Sequence, residues 1–210
     1  MWPDSSQTQE LLAGARQGDA AAVNQLLDRH RDSLRRMIEL RLDRAVSSRV
    51  DASDIVQEVL LEANRRLRDY LNEPRMPFHL WLRQIGQDRL IDAHRRHRQA
   101  ARRSVDREQS QPARPLDQST LDLMAGICDP ELTPAAAATW QELQRRFQAA
   151  IEELDQQDRE VVLMRHFEQL SNSEVAQTLN LSEPAAGMRY LRAMRRLREK
   201  LTGAAEENRE

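Results

Sequence analysis

The residues best suited to partner chemistry lie near the C-terminus, in LSNSEVAQTLNLSEPAAGMRYLRAMRRLREKL. Arg189, Arg192, Arg196 and Lys200 recur at i, i+3, i+7 and i+11, along one side of a helix. Tyr190, Met194, Leu197 and Leu201 recur at i, i+4, i+7 and i+11, along another. Residues 189–200 hold six bases and one acid, a net of +5. An apolar stripe that packs inward and a basic stripe that faces outward let a helix sit against phosphates. A charge run alone is more often a solvated helix face. This one follows a short segment carrying Val175, Ala176 and Leu179, then a tight turn at Asn180–Leu181. Ser182 is a good N-cap, and Glu183 and Pro184 suit the first turn. Ala176 is small where two helices must cross closely. Together these predict a helix-turn-helix. Its second helix would offer Glu183, Pro184, Ala185, Met188 and Arg189 to base edges. Arg189 is the best candidate for a guanine or phosphate contact.

Two further constellations lie in the first half. Asp51, Asp54, Glu58 and Glu62 occur in DASDIVQEVLLEA with no base among them. Asp54, Gln57 and Glu58 share one polar face, opposite the apolar residues. That face is either an ordinary solvated surface or a dock for a basic or polar partner. Residues 88–103 hold six bases, Arg89, Arg95, Arg96, Arg98, Arg102 and Arg103, against two acids, a net of +4. Arg89 and Asp92, at i, i+3, are spaced to pair with each other. His94 and His97 have a ligand spacing, but the flanking arginines disfavour a cation. The expectation is a phosphate-facing helix and no metal site.

Helical periodicity accounts for the elements that must position these groups. Residues 19–45 place Val23, Leu26, Leu27, Leu34, Met37, Ile38 and Ala45 on one face, with Asp19 as N-cap. Asp51 or Ser53 opens a second helix with Ile55, Val56, Val59, Leu60, Ala63 and Leu67 inward. Pro74 and Pro77 end it, and a third runs from Phe78 through Trp81, Leu82 and Ile85 into HRRHRQAARR. Residues 104–133 break the pattern with three prolines and six acids against two bases, a net of −4, as a linker would. Helices resume at 135–153, through Trp140, Leu143, Phe147, Ile151 and Leu154. They continue at 156–168, 172–179 and 183 to about 202.

The chain has 210 residues and a net charge of −2, with 31% charged and 4% aromatic residues. Few β-branched and aromatic residues, with abundant Leu, Arg, Glu, Gln and Ala, point to an all-α protein. A mean hydropathy of −0.76 and no long apolar run exclude a membrane span. The N-terminus has neither the basic nor the apolar region of a secretory signal. The single cysteine, Cys128, excludes a disulfide framework. No Gly-rich phosphate loop or nucleophilic constellation is present, so no enzyme, small-molecule substrate or cofactor is expected. The near-neutral total is a cancellation between basic and acidic surfaces.

On these segments the chain resembles the extracytoplasmic-function (ECF) group of bacterial RNA polymerase sigma factors. GDAAAVNQLLDRHRDSL looks like the family's opening helix, and DASDIVQEVLLEA like its core-polymerase-binding segment, often D-x-x-D-x-x-Q-E. FHLWLRQIGQDRLIDAHRR looks like the segment that reads and melts the minus-ten element. LDQQDREVVLMRHFEQLSNSEVAQTLNLSEPAAGMRYLRAMRRLRE looks like the minus-thirty-five module. The resemblance implies an all-α protein of two small helical domains joined by a flexible linker. These are a region-2-like domain at 1–103, an acidic linker at 104–134, a region-4-like domain at 135–203 and a disordered tail at 204–210. It implies that Asp51, Asp54, Gln57 and Glu58 meet core polymerase. Trp81, Asp88, Arg89, Asp92, Arg95, Arg96 and Arg98 would lie at the minus-ten element. Ser182, Glu183, Pro184, Ala185, Met188, Arg189, Arg192, Arg195 and Arg196 would lie at the minus-thirty-five element. Core RNA polymerase and promoter DNA are the implied partners, in the cytoplasm, with room for an anti-sigma factor. Trp81 sits on the apolar stripe, so base capture would rest on a loop between about residues 68 and 80. Gly86, Gln87 and Asp88 stand where the family often has Ala-Arg-Asn, Asn180 where it has glycine, and Gly187 where a base is common. The alternative is a helix-turn-helix regulator that binds duplex operators without polymerase.

Overall fold

Asp19, Asp51, Asp155 and Ser171 each accept a backbone N–H at the start of a helix, and these caps segment the fold in the computed structural model. The structure describes residues 2–3, 5–42, 50–101, 147 and 149–206; of 97–101 and 202–206 it describes the backbone alone. The chain divides into two units, Met1–Gln111 and Pro112–Glu210. Every regular element among the described residues is helical.

The first unit contains α1 (Ser5–Arg16), α2 (Ala20–Arg29), α3 (Arg31–Glu39), α4 (Ala52–Asn72) and α5 (Phe78–Ala101). Its core gathers Leu26, Leu34, Met37, Ile38, Ile55, Val56, Val59, Ala63 and Leu82. The predicted inward residues of α4 are all buried. Asp51 is its N-cap: its carboxylate takes the Ser53 N–H at 2.9 Å, which holds its pKa below the usual value.

One expectation for this unit changes, and one helix is added. The stripe from 19 to 45 is not one helix. It breaks at His30, which ends α2 and opens α3, and whose Nδ1 bonds the Leu26 carbonyl at 2.9 Å. An i, i+4 stripe survives a break between consecutive helical segments, so periodicity did not reveal it; Ala45 lies outside the described residues. Helix α1 was not foreseen. With Leu11 and Leu12 as its only large apolar residues, its pattern is thin, and packing supplies what the pattern lacks. Gly14 permits that packing, because a Cβ there would stand 2.8 Å from the Ala22 Cβ. Gly86 likewise lies where α5 crosses α3, and a Cβ on it would meet Met37 Cε at 2.5 Å. Its helix-weakening cost is offset by a closer approach of two helices.

In the second unit, residues 149–152 are helical, followed by α6 (Gln156–Val162), a π turn (Leu163–Phe167), α7 (Asn172–Leu179) and α8 (Glu183–Glu206). The helix expected at 156–168 therefore widens at Leu163. Helix α8 outlasts its expected end, so Ala204–Glu206 extend the helix rather than opening a tail. The linker, Cys128, Trp140 and Leu143 lie outside the described residues. Phe147, Val161, Val162, Met164, Phe167, Val175 and Leu197 form the second unit's buried interior.

Candidate functional site

In the first unit the acidic face of α4 and the basic end of α5 meet. Asp54 and Gln57 are exposed, while Glu58 is half-buried because Arg96 reaches it from α5 at 3.1 Å. One turn further, Glu62 takes Arg89 of α5 at 3.1 Å and Arg66 of its own helix at 2.6 Å. The expected Arg89–Asp92 pair does not form. Asp92 pairs instead with Arg95 at 3.3 Å. The reason is helix azimuth. Leu90 and Ala93 are buried, which turns Arg89 toward α4 and leaves Asp92 beside the outward Arg95. Glu62, named among the acids of this segment but given no contact there, is the second link between α4 and α5. Its signal was the i, i+4, i+8 row of Asp54, Glu58 and Glu62 facing a basic helix. Asp88 and Ile91 are exposed on the outward side of α5, and the Arg98 side chain lies outside the described residues.

Trp81 is half-buried in an aromatic group, with its ring 4.7 Å from Tyr70 and 5.5 Å from Phe78. Phe78 also meets His30 edge-on at 5.0 Å. Burial pushes His30 down from 6.5 to about 4, so the ring is neutral at pH 7. Tyr70 Oη donates to the Met76 carbonyl at 3.0 Å, across the loop between α4 and α5.

The second unit is built to present α8. Ser171 and Glu174 form a reciprocal capping box at the start of α7. Asn180 ends α7 with φ 52° and ψ 49°, the left-handed conformation expected at that turn. Ser182 Oγ accepts the Ala185 N–H at 3.4 Å, and Asn172 Nδ2 donates to the Glu183 carbonyl at 2.8 Å, tying α7 to the start of α8. Gly187 sits beside that Asn172 side chain.

The faces of α8 differ in detail from the predicted stripes. Ala186, Ala193, Leu197 and Leu201 are buried, whereas Tyr190 and Met194 lie at the margin. The small alanines let α8 approach α6 and α7 closely. The Tyr190 hydroxyl bonds His166 Nε2 at 2.6 Å, and Arg165 lies 5.6 Å from its ring centroid. The π turn brings Arg165 and His166 to this position, which an α-helical reading of 156–168 does not reveal. Burial raises the Tyr190 hydroxyl and lowers the His166 ring from their usual pKa values.

Arg196 is engaged within the unit. It meets Asp155 at 2.8 Å and Asp158 at 2.6 Å, and Lys200 pairs with Glu153. The Asp155 carboxyl is held below its usual pKa, first by the Asp158 N–H and also by Arg196. Ser182, Glu183, Pro184, Ala185, Met188, Arg192 and Arg195 are exposed, and Arg189 is half-exposed toward the same flank as Arg196. Met188 and Leu191 stand out among the exposed large apolar side chains. The outward surface of α8 is therefore a mixed apolar and cationic face, suited to a DNA groove.

Among the described residues, no group of three or more His, Cys, Asp or Glu is arranged to hold a metal ion. No described helix is long and apolar enough to cross a membrane.

Residues 23–100 match the family model for sigma-70 region 2, and residues 144–197 the model for sigma-70 region 4. The chain is 33% identical over 159 residues to the probable RNA polymerase sigma factor RfaY of Xanthomonas campestris pv. campestris, covering 75% of this chain and 36% of that one. It is 27% identical over 194 residues to the ECF RNA polymerase sigma factor BldN of Streptomyces coelicolor, covering 92% and 66%. It is 25% identical over 196 residues to the ECF RNA polymerase sigma factor SigD of Mycobacterium tuberculosis, covering 93% and 84%. The chain thus spans about a third of the first relative and about two thirds of the second. Among solved structures, it shares its fold with CnrH in complex with the cytosolic domain of CnrY, at TM-score 0.57 and 23% identity over 96% of this chain and 99% of that chain. The sigma factor RpoE in complex with the anti-sigma factor NepR from Bartonella quintana gives TM-score 0.55 and 19% identity, over 90% and 98%.

Proposed function

The chain belongs to the ECF RNA polymerase sigma factors, and we propose that it binds core RNA polymerase, directs it to promoters and assists strand separation there. The observation that carries this is the order of the two family matches, region 2 on the first unit and region 4 on the second. Sigma factors are regulatory subunits, and this chain lends recognition to a catalytic partner without being an enzyme itself.

The roles divide by surface. Asp51, Asp54, Gln57 and Glu58 face core polymerase. Trp81, Asp88, Arg89, Asp92, Arg95, Arg96 and Arg98 line the minus-ten side, and the loop between α4 and α5 captures an unstacked base. Ser182 to Ala185, Met188, Arg189, Arg192 and Arg195 meet the minus-thirty-five duplex. Arg196 supports that surface through Asp155 and Asp158. Residues 1–103 and 135–203 form the two functional domains, connected through 104–134. An anti-sigma factor is a further partner, as in the solved complex of RpoE with the anti-sigma factor NepR, which shares the fold. The working place is the cytoplasm, where core polymerase acts.

Association with core polymerase tests this reading. The protein should comigrate with core enzyme in size-exclusion chromatography and bind free promoter duplex weakly. Tight duplex binding with no polymerase association would favour an operator-binding regulator.

A further inference from the structure

Tyr70 carries a hydroxyl that core packing does not require. Its ring is buried near the end of α4, edge-on to Phe78 at 5.5 Å and beside Trp81 at 4.7 Å. A phenylalanine would fill the same space. The hydroxyl instead reaches the Met76 carbonyl, 3.0 Å away in the Glu73–Pro77 connection between α4 and α5.

That connection has few backbone ties, and its side-chain tie, Arg75 to Glu73 at 3.0 Å, is an exposed ion pair that solvent screens. Pro74 and Pro77 have no N–H, and the Glu73 N–H is already bonded to Asp69. The Pro77 carbonyl is taken by the Leu80 and Trp81 amides that begin α5. Met76 precedes a proline, so its backbone is biased toward extended conformations and its carbonyl away from a helical ladder. Tyr70 supplies its partner. The loop is thereby fastened at its far end to the aromatic group beneath it, while Glu73, Pro74, Arg75 and Pro77 remain exposed.

We propose that Tyr70 is a positioning residue for strand separation, holding through Met76 the loop shape that captures the released base. This rests on the reading of the 73–77 loop as the capture element. Capturing an extruded base requires a pocket formed beforehand, because the base loses its stacking and pairing on leaving the duplex. A loop that spends only a fraction of its time in the competent shape binds more weakly by that fraction. Two prolines restrict the loop's φ angles, and the Tyr70 hydroxyl fixes its attachment to the helix.

The test is Tyr70→Phe in the full chain with core polymerase, read by permanganate reactivity of unpaired promoter thymines. Open-complex formation on duplex promoter should fall about threefold to tenfold, the weight of one hydrogen bond. Core affinity, minus-thirty-five duplex affinity and the circular dichroism spectrum should stay at wild-type values. A promoter mismatched across the minus-ten element should restore opening, while an abasic site at the captured position should penalise the variant less than the wild type. Wild-type opening by Tyr70→Phe would overturn the proposal, as would a defect that persists on the mismatched promoter. A paired Arg75→Ala/Met76→Ala variant separates the two layers. If it loses base discrimination while Tyr70→Phe keeps it, the loop reading stands and the role of Tyr70 fails. If neither variant changes discrimination, the loop reading fails.

Discussion

The Arg96 guanidinium lies 3.1 Å from the Glu58 carboxylate, joining α5 to α4 across 38 residues of sequence. The proposed polymerase face and the proposed minus-ten face are therefore two sides of one helix pair, and Glu58 belongs to both. The side chains are 59% and 41% exposed, so the pair is screened by solvent. Such a pair contributes about 0–1 kcal/mol. A double-mutant cycle of Glu58→Gln and Arg96→Gln, followed by urea unfolding, should return a coupling within that range. Promoter phosphates can therefore draw Arg96 away at little cost.

Asp54 isolates the proposed polymerase contact better than Glu58 does. It is exposed on the same face, one turn earlier, and reversing it does not strand Arg96. Asp54→Lys should weaken core polymerase binding by roughly tenfold or more through like-charge contact with a basic partner. The second unit should keep its folded spectrum. Unchanged affinity would remove this face from the interface.

Within α8, structural and recognition arginines should separate experimentally. Arg196→Ala leaves Asp158 buried without its ion partner and should destabilise the second unit by about 1–3 kcal/mol. Arg192→Ala should leave stability within about 0.5 kcal/mol. If Arg192 meets a phosphate, its loss reduces the salt slope of duplex binding by about one for every sequence alike. Arg189→Ala should cost about 1–3 kcal/mol on the preferred element alone if it makes a bidentate base contact. Filter binding across a panel of minus-thirty-five variants distinguishes the two patterns.

Much of this was legible in the residues. Asp19 caps the helix it was expected to cap, Asp51 is the one of the two candidates, Asp51 and Ser53, that caps α4, Asn180 takes the left-handed turn, and the α4 core positions are those its period indicates. These are local rules, decided by neighbours within one turn. What escaped depends on contacts between segments. The ion pairs of Arg196 with Asp155 and Asp158 come from 41 and 38 residues away. Arg89 has a suitable acid at i+3, yet a better-placed one on α4 wins. Helix α1 has a faint stripe and depends on Gly14 lying against Ala22.

The turn at Asn180 supplies a stability test. Its φ of 52° is acceptable to Asn and Gly but opposes a β-branched side chain. Asn180→Val should lower the stability of the second unit by about 1–2 kcal/mol or more. Asn180→Gly should stay within a few tenths. Thermal unfolding would show the difference, and equal losses for both would mean that the side chain, rather than the backbone, matters there.

Acid should loosen the first unit through His30. Its ring is neutral in the folded state, with a pKa near 4, and titrates near 6.5 once exposed. The unfolded chain therefore binds the extra proton first, and stability is lost as pH falls from about 6.5 toward 4. The full shift corresponds to about 3 kcal/mol. Urea midpoints measured across that range should decline more steeply for the wild type than for His30→Gln, and equal slopes would dismiss the histidine.

Reconstituted run-off transcription tests the central claim most directly. Core polymerase, this protein and a promoter-bearing fragment from its own genome should yield a transcript with one defined 5′ end. That transcript should require both family-matched units and disappear when the protein is omitted. A transcript that forms equally well without the protein, or none with any genomic fragment despite active core enzyme, would contradict the account.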